Sequence, residues 1–249
     1  MPADILSDID LALFVRDPGR LLHQQDWIAG LGSRWTSHLE SNALETGQER
    51  RVLFQDGQDV DFAVFPVELL GALTSDPRGA AVLRKGFRPL VNKDSLELVL
   101  PKDEPPAAPP SSIEFSNLVN DYWFHLVWTA KKLRRGELLI AVLATNGYLG
   151  QLLVRLARWH AISRGSSGGT PWHGARFFEK WADPRIVRDL SVIASQYSAP
   201  SVAQALRAHR ALLRWLGNEL QESLSFPNPV PDEESLSEYL DRMLDLGQP

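Results

Sequence analysis

The chain has 249 residues, 44% of them hydrophobic and 23% charged, an ordinary globular composition with length for one large domain or two modest ones. Cysteine is absent, which excludes disulfides, thiolate nucleophiles and cysteine-based zinc sites, and a formal net charge of −5 argues against sequence-independent binding to a phosphate backbone. No apolar run approaches 18 residues and the first residues begin no secretory signal, so a cytoplasmic protein without nucleic-acid or membrane partners is expected.

Ser7-Asp8-Ile9-Asp10-Leu11, running on to Val15, reads as a strand. Alternation puts Asp8, Asp10, Ala12 and Phe14 on one face and Ile9, Leu11, Leu13 and Val15 on a core face. Two carboxylates in this register repel by about 4 kcal/mol for unit charges 4 Å apart at an effective dielectric of 20. A hard divalent ion, most plausibly Mg²⁺, relieves that repulsion, so the Asp-x-Asp reads as half of a phosphoryl- or nucleotidyl-transfer site. The alternative is an edge strand with a solvated acidic face.

Asp17-Pro18 starts a helix that carries Leu21, Leu22, Trp27, Ile28 and Leu31 and stops near Gly32. Gly32-Ser33-Arg34 has the composition of a phosphate-binding turn but follows a helix rather than a strand. Arg51 to Gln55 and Asp59 to Phe65 flank Asp56-Gly57 as a hairpin. In its second strand Asp59, Asp61 and Ala63 share a face, which makes Asp61 a third convergent carboxylate. Short helices are expected from Pro66 and Pro77, residues 88–100 are irregular or extended, and 101–110 is proline-rich. The boundaries are a mixed-sheet domain over 1–104, a linker over 105–111 and a helical domain over 112–249.

In the helical part, Ser111 with Glu114 forms a capping box ahead of a helix whose apolar rhythm runs from Ile113 to Leu133 and stops at Gly136. A second long helix covers 138–161, a glycine- and serine-rich loop 163–169, and further helices 174–182, 184–196, 200–224 and 233–245. Asp121, His125, Trp128 and Lys132 form a polar and aromatic stripe on the first of these helices, which lines a substrate cleft or faces solvent or the other domain. Lys131 or Lys132 reaches a triphosphate or serves as a cation at the helix C-terminus. His209 falls on an apolar stripe and reads as a core histidine; His160 and His173 lack a metal-site partner at helical spacing. Residues 1–111 carry 17 acidic and 11 basic side chains against 14 and 15 in the remainder, so the acidic half favours a cationic organic partner.

The order and spacing of Ser7-Asp8-Ile9-Asp10, Leu53-Phe54-Gln55-Asp56-Gly57-Gln58-Asp59-Val60-Asp61, Asn120-Asp121-Tyr122-Trp123 and Lys131-Lys132-Leu133-Arg134-Arg135-Gly136-Glu137-Leu138 resembles that of the aminoglycoside 6-adenylyltransferases, also called streptomycin adenylyltransferases. The resemblance implies an α+β chain, a nucleotidyltransferase-fold mixed-sheet domain followed by an α-helical bundle with the active site in the cleft between them. It implies transfer of AMP from ATP to a hydroxyl of streptomycin or a related aminoglycoside, with release of pyrophosphate and Mg²⁺ as metal. By matched position, Asp8 and Asp10 are metal ligands, Asp61 is the third ligand and base, Lys131 contacts the nucleotide phosphates, and Asp121 and Glu137 pair with cationic groups of the drug. The family pattern also places a strand ending in Gly-Ser before the Asp-x-Asp. Met1 stands seven residues ahead of Asp8, so the expectation is an N-terminally shortened sheet lacking that phosphate-gripping turn, either because the true start lies upstream or because the chain is a degraded relative. Two rivals remain, a relative that binds ligand without turnover and a nucleotidyltransferase with another acceptor.

Overall fold

In the computed structural model, which describes residues 6–42, 47–71, 77–84, 86–93, 108–165 and 175–245, the aspartate-bearing run forms strand β1 (Ile9–Val15). Asp17 accepts the Arg20 amide at 3.1 Å and opens helix α1 (Pro18–His23), with Pro18 at its first position. The chain leaves the helix at Gln24 and restarts as α2 (Asp26–Ala29), so the expected single helix is two short ones. Strands β2 (Arg34–Ser41), β3 (Gln48–Phe54) and β4 (Asp59–Pro66) follow.

These four strands form a mixed sheet in the order β1-β4-β3-β2. β1 and β4 are parallel, from Ile9 opposite Val60 to Val15 opposite Pro66; the other pairs are antiparallel. A parallel pair needs a crossover, and α1, α2 and the β2–β3 hairpin supply it. The β3–β4 turn is the expected Asp56-Gly57 turn, with Gly57 at φ +87° and the Asp56 carboxylate accepting the Gln58 amide at 3.0 Å. β2 was not expected: Arg-Trp-Thr-Ser-His-Leu-Glu-Ser offers no continuous apolar face, because an edge strand needs none.

Ile28, Val52, Phe54, Val60 and Phe62 are buried on one face of the sheet, with Leu11, Leu13 and Trp27 packed on them. Trp27 meets Phe62 edge-on at 4.9 Å and donates its indole N–H to the Leu21 carbonyl at 3.0 Å. Arg50 is buried on this side too. Its Nε donates to the Leu22 carbonyl at 3.0 Å and its Nη1 to Ser37 Oγ at 2.8 Å, tying the end of α1 to the sheet. Pro66 leads into a 3₁₀ turn (Val67–Leu69), and helix α3 (Pro77–Leu83) completes the described elements of this part.

The chain divides into two compact units, residues 1–105 and 106–249. Most of the proline-rich stretch, including 105–107 of the expected linker, lies outside the described residues. Helix α4 (Ser112–Arg134) opens on the expected capping box: Ser111 N–H donates to Glu114 Oε2 at 2.8 Å and Glu114 N–H to Ser111 Oγ at 3.2 Å. It closes at Gly136, φ +76°, where the amides of Gly136 and Glu137 return to the carbonyls of Leu133 and Lys132 at 3.0 Å each. Helix α5 (Leu138–Leu143) continues through a π-helical turn (Ala144–Leu149) into α6 (Gly150–Ser163). Helices α7 (Phe178–Trp181), α8 (Pro184–Ile193), α9 (Ala199–Leu224) and α10 (Glu233–Leu244) follow.

The α4 stripe of Phe115, Leu118, Tyr122, Trp123 and Leu126 packs with Leu152, Leu153 and Leu156 of α6 and Val202, Leu206, Leu213 and Leu216 of α9 in one helical core. By length and composition alone Leu138–Ser163 is long and apolar enough to cross a membrane, whereas no apolar run near 18 residues was expected from the sequence. Its Ala141, Leu149, Leu153 and Leu156 are fully enclosed in the bundle, whereas Leu139, Ile140 and Leu143 are exposed, and 33% of its apolar 18-residue stretch is buried. The loop expected over 163–169 and the start of the helix expected over 174–182 reach into residues outside those described; the latter is helical over Phe178–Trp181. His209 is a core histidine as expected, its Nδ1 2.7 Å from Tyr122 Oη.

Candidate functional site

Parallel pairing sets Asp10 directly opposite Asp61. Antiparallel pairing sets Arg51 opposite Asp61, and His38 opposite Arg51. One rung across the sheet therefore reads His38, Arg51, Asp61, Asp10, on the face away from the apolar core. The neighbouring rung on the same face reads Glu40, Glu49, Ala63, Ala12. Asp8, two residues before Asp10 and just ahead of β1, is exposed.

Arg51 ties the two rungs together. Its Nη2 lies 2.9 Å from Asp61 Oδ2, and its Nε 3.1 Å from Glu49 Oε1 and 2.6 Å from Glu40 Oε1. Burial pushes the Asp61 carboxyl above its ordinary range; Arg51 opposes this, and Asp10, Asp8 and Asp59 add to it. Glu49, nearly buried, is pushed up for the same first reason, against the pull of Arg51. Sequence reasoning missed Arg51 and Glu49. The signal was present: Arg51 and Asp61 stand equally far from Asp56, so the hairpin turn already dictates their pairing.

A hard divalent cation fits this donor chemistry. Among the described residues no three metal-ligating side chains are gathered into a cage, but Mg²⁺ is commonly held by one or two carboxylates together with substrate phosphates rather than by an all-protein cage. Asp10 and Asp61 stand opposite each other in the β1–β4 register, two carboxylates in number, and Asp61 is already paired with Arg51.

The residues expected in the helical unit fall into two groups. Asp121 and Lys131 line one groove of about 580 Å³ along α4, with Asn120, Trp123, Phe124, Val127, Trp128 and, from α10, Leu236. The Asp121 carboxylate accepts from His125 Nδ1 at 2.7 Å and from Tyr148 Oη at 2.9 Å. Lys131 Nζ lies 5.7 Å from the centre of the Tyr239 ring. Glu137 is instead paired within the protein, with Lys132 Nζ at 2.8 Å and Arg135 Nε at 2.9 Å, and Lys132 holds its carboxyl below the usual range. Lys132 also lies over Trp128 at 5.3 Å, so the two adjacent lysines have different surroundings.

Gly32 and Ser33 line a separate hollow of about 380 Å³ with Ile9, Leu11, Val60 and Phe62. That is the apolar face of β1 and β4, opposite the carboxylates. His160 is buried against Glu219, Nε2 to Oε2 2.7 Å; His173 lies outside the described residues.

Residues 1–243 match the family model described as streptomycin adenylyltransferase. The chain is 23% identical over 242 residues to an aminoglycoside 6-adenylyltransferase of Bacillus subtilis (strain 168), covering 94% of this chain and 83% of that relative. It is 23% identical over 251 residues to one of Campylobacter jejuni, covering 97% and 84%. A crystal structure of an aminoglycoside 6-adenyltransferase from Bacillus subtilis superposes with a TM-score of 0.50 at 21% identity, over 96% of this chain and 89% of the other, and so shares the fold. With a match over nearly its whole length, the chain belongs to the streptomycin adenylyltransferase family.

Proposed function

We propose that the chain transfers AMP from ATP to a hydroxyl of streptomycin or a related aminoglycoside and releases pyrophosphate. The observation that carries this reading is the register pairing of Asp10 with Asp61, with Asp8 two residues ahead of Asp10, in a member of this family. In this reading residues 1–104 are the catalytic domain, 105–111 the linker, and 112–249 the domain that binds the acceptor.

Asp8, Asp10 and Asp61 are the residues that would hold Mg²⁺. When bound, the ion neutralises triphosphate charge and polarises the phosphorus under attack. The acceptor oxygen bonds to the α-phosphorus as the bond from that phosphorus to the pyrophosphate oxygen breaks, and the hydroxyl proton passes to Asp61. Burial and the neighbouring aspartates raise the Asp61 carboxyl, which makes it a better proton acceptor than an exposed carboxylate. Lys131 contributes a point charge to the nucleotide phosphates. Asp121 and Glu137 attract the cationic groups of the drug, Glu137 once its contacts with Lys132 and Arg135 are exchanged.

Pyrophosphate release in the presence of ATP, Mg²⁺ and streptomycin tests the reading, with Asp10→Asn as the control. Turnover by the natural chain and none by the variant is expected. Absence of release with every aminoglycoside, or labelled AMP on a protein and none on a drug, overturns it.

A further inference from the structure

Asp121 sits on the exposed side of α4, one helical turn before His125. His125 Nδ1 faces two acceptors, the Asp121 carboxylate at 2.7 Å and the Asp121 carbonyl at 3.0 Å. Two acceptors require that Nδ1 carry the proton, so His125 donates. Tyr148 donates its hydroxyl to the same carboxylate, 2.9 Å from Oδ2 and 3.2 Å from Oδ1. A carboxylate has about four lone-pair sites, and these two donors leave acceptor capacity for an incoming ligand.

Aromatic rings surround this carboxylate. The His125 ring lies 4.2 Å from Tyr148, 5.1 Å from Phe124 and 6.1 Å from Trp128, centre to centre. Phe124 is 64% exposed and Tyr148 40%, so both rings stand open to solvent beside the carboxylate. Ring faces around an ionised carboxylate attract a desolvated cation, above all a planar guanidinium. The groove continues from Asp121 to Lys131, ten residues or about 15 Å along the helix, so one end is anionic and the other cationic.

Tyr148 reaches Asp121 from the π-helical turn. Such a turn inserts one extra residue into the helix and rotates everything beyond it by about 100°. The turn is fastened in place: Asn146 accepts from Ser195 N–H at 2.8 Å and donates to the Ser195 carbonyl at 2.9 Å, and Thr145 Oγ1 donates to the Ala141 carbonyl at 2.7 Å. Single π turns within α-helices are frequent at functional sites.

We propose that Asp121, His125 and Tyr148 form a prebuilt subsite for one cationic group of the acceptor, a guanidinium or an ammonium, and that the π turn aims Tyr148 at it. Asp121 contacts the cation; His125 and Tyr148 are positioning residues that fix its carboxylate. The subsite rests on the reading of the chain as an aminoglycoside adenylyltransferase but is tested by binding alone.

Tyr148→Phe removes one exposed hydroxyl and keeps the ring. Calorimetric titration of the full chain with streptomycin, and with agmatine as a bare guanidinium probe, is expected to show about 5- to 10-fold weaker binding of both by the variant, as befits loss of a hydrogen bond to a charged group. Steady-state kinetics are expected to show the same rise in KM for streptomycin, with kcat, KM for ATP and Tm unchanged. Equal binding by variant and natural chain overturns the subsite, as does failure of the natural chain to bind either probe. Binding that weakens in the variant, in a natural chain with no AMP transfer, upholds the subsite and sinks the functional reading.

Discussion

Arg51 and Asp61 face each other across β3 and β4, with Nη2 2.9 Å from Oδ2, and the same guanidinium reaches Glu49 and Glu40. A positive charge therefore stands beside the carboxylates proposed to hold a divalent cation. Like charges at this range oppose each other, so Arg51→Met, which keeps the apolar stem, is expected to bind Mn²⁺ roughly 3- to 10-fold more tightly. Titration of Mn²⁺ followed by its electron-spin resonance measures this directly. Without metal the same variant loses thermal stability, because Glu49 and Asp61 lose their counter-charge. Unchanged Mn²⁺ affinity would show that Asp61 is not a metal ligand.

Asp61 itself carries opposed demands. Burial and three neighbouring aspartates push its carboxyl up, so its charged form is disfavoured in the folded state. The sign follows: a raised folded-state pKa favours folding at low pH, and that contribution is lost as pH rises through the folded value. Asp61→Asn is therefore expected to raise Tm at neutral pH, on the order of 2–4 °C if the gain is about 1 kcal/mol, and the gain shrinks on acidification. AMP transfer is abolished by the same substitution. A variant less stable at pH 7 than the natural chain would mean that the pairing with Arg51 outweighs the desolvation.

Lys131 and Lys132 are adjacent in sequence but not in role. Lys131 lines the groove, and Lys132 is held by Glu137. Lys131→Met is expected to raise KM for ATP about tenfold, the loss of one charge-assisted phosphate contact, without changing Tm. Lys132→Met leaves KM for ATP unchanged and loosens the α4–α5 junction, where Glu137 keeps only Arg135. Thermal melts and ATP kinetics on the two variants separate these outcomes; a shift in KM for ATP with Lys132→Met alone would reverse the assignment.

The legible parts of the fold are those where a local rule acts without competition. The Asp-x-Asp face follows from the strand period of two, the Ser111 and Glu114 box from two residues three apart, and the stop at Gly136 from its positive φ. β2 escaped because it is an edge strand whose Trp35 and His38 are exposed, so burial imposed no pattern on it. Tyr148 escaped because an uninterrupted helix over 138–161 assigns no extra residue, whereas the π turn redirects the face beyond it by about 100°. Arg51 was missed for a different reason: its partner is set by register, a relation between two strands.

Tyr122 and His209 form a buried pair in the helical core, Oη to Nδ1 2.7 Å. Burial pushes His209 down to about 4, with the backbone of Thr145 and Ile193 working the other way, so the imidazole is neutral at physiological pH. An unfolded histidine takes up its proton near pH 6.5, whereas the folded one does so only near 4. Its contribution to stability is thus fully present above 6.5 and is lost as pH falls toward 4, up to roughly 3 kcal/mol. His209→Gln is expected to be less stable at pH 7, and its deficit against the natural chain should narrow steadily between pH 6.5 and 4. Tyr122→Phe leaves a buried ring nitrogen unpaired and costs about 1–3 kcal/mol while preserving the pH slope. Urea unfolding of the full chain, read on the helical signal at pH 7, 5.5 and 4.5, measures both. A deficit of His209→Gln that is constant across these pH values would show that the histidine is charged, or solvated, in the folded bundle.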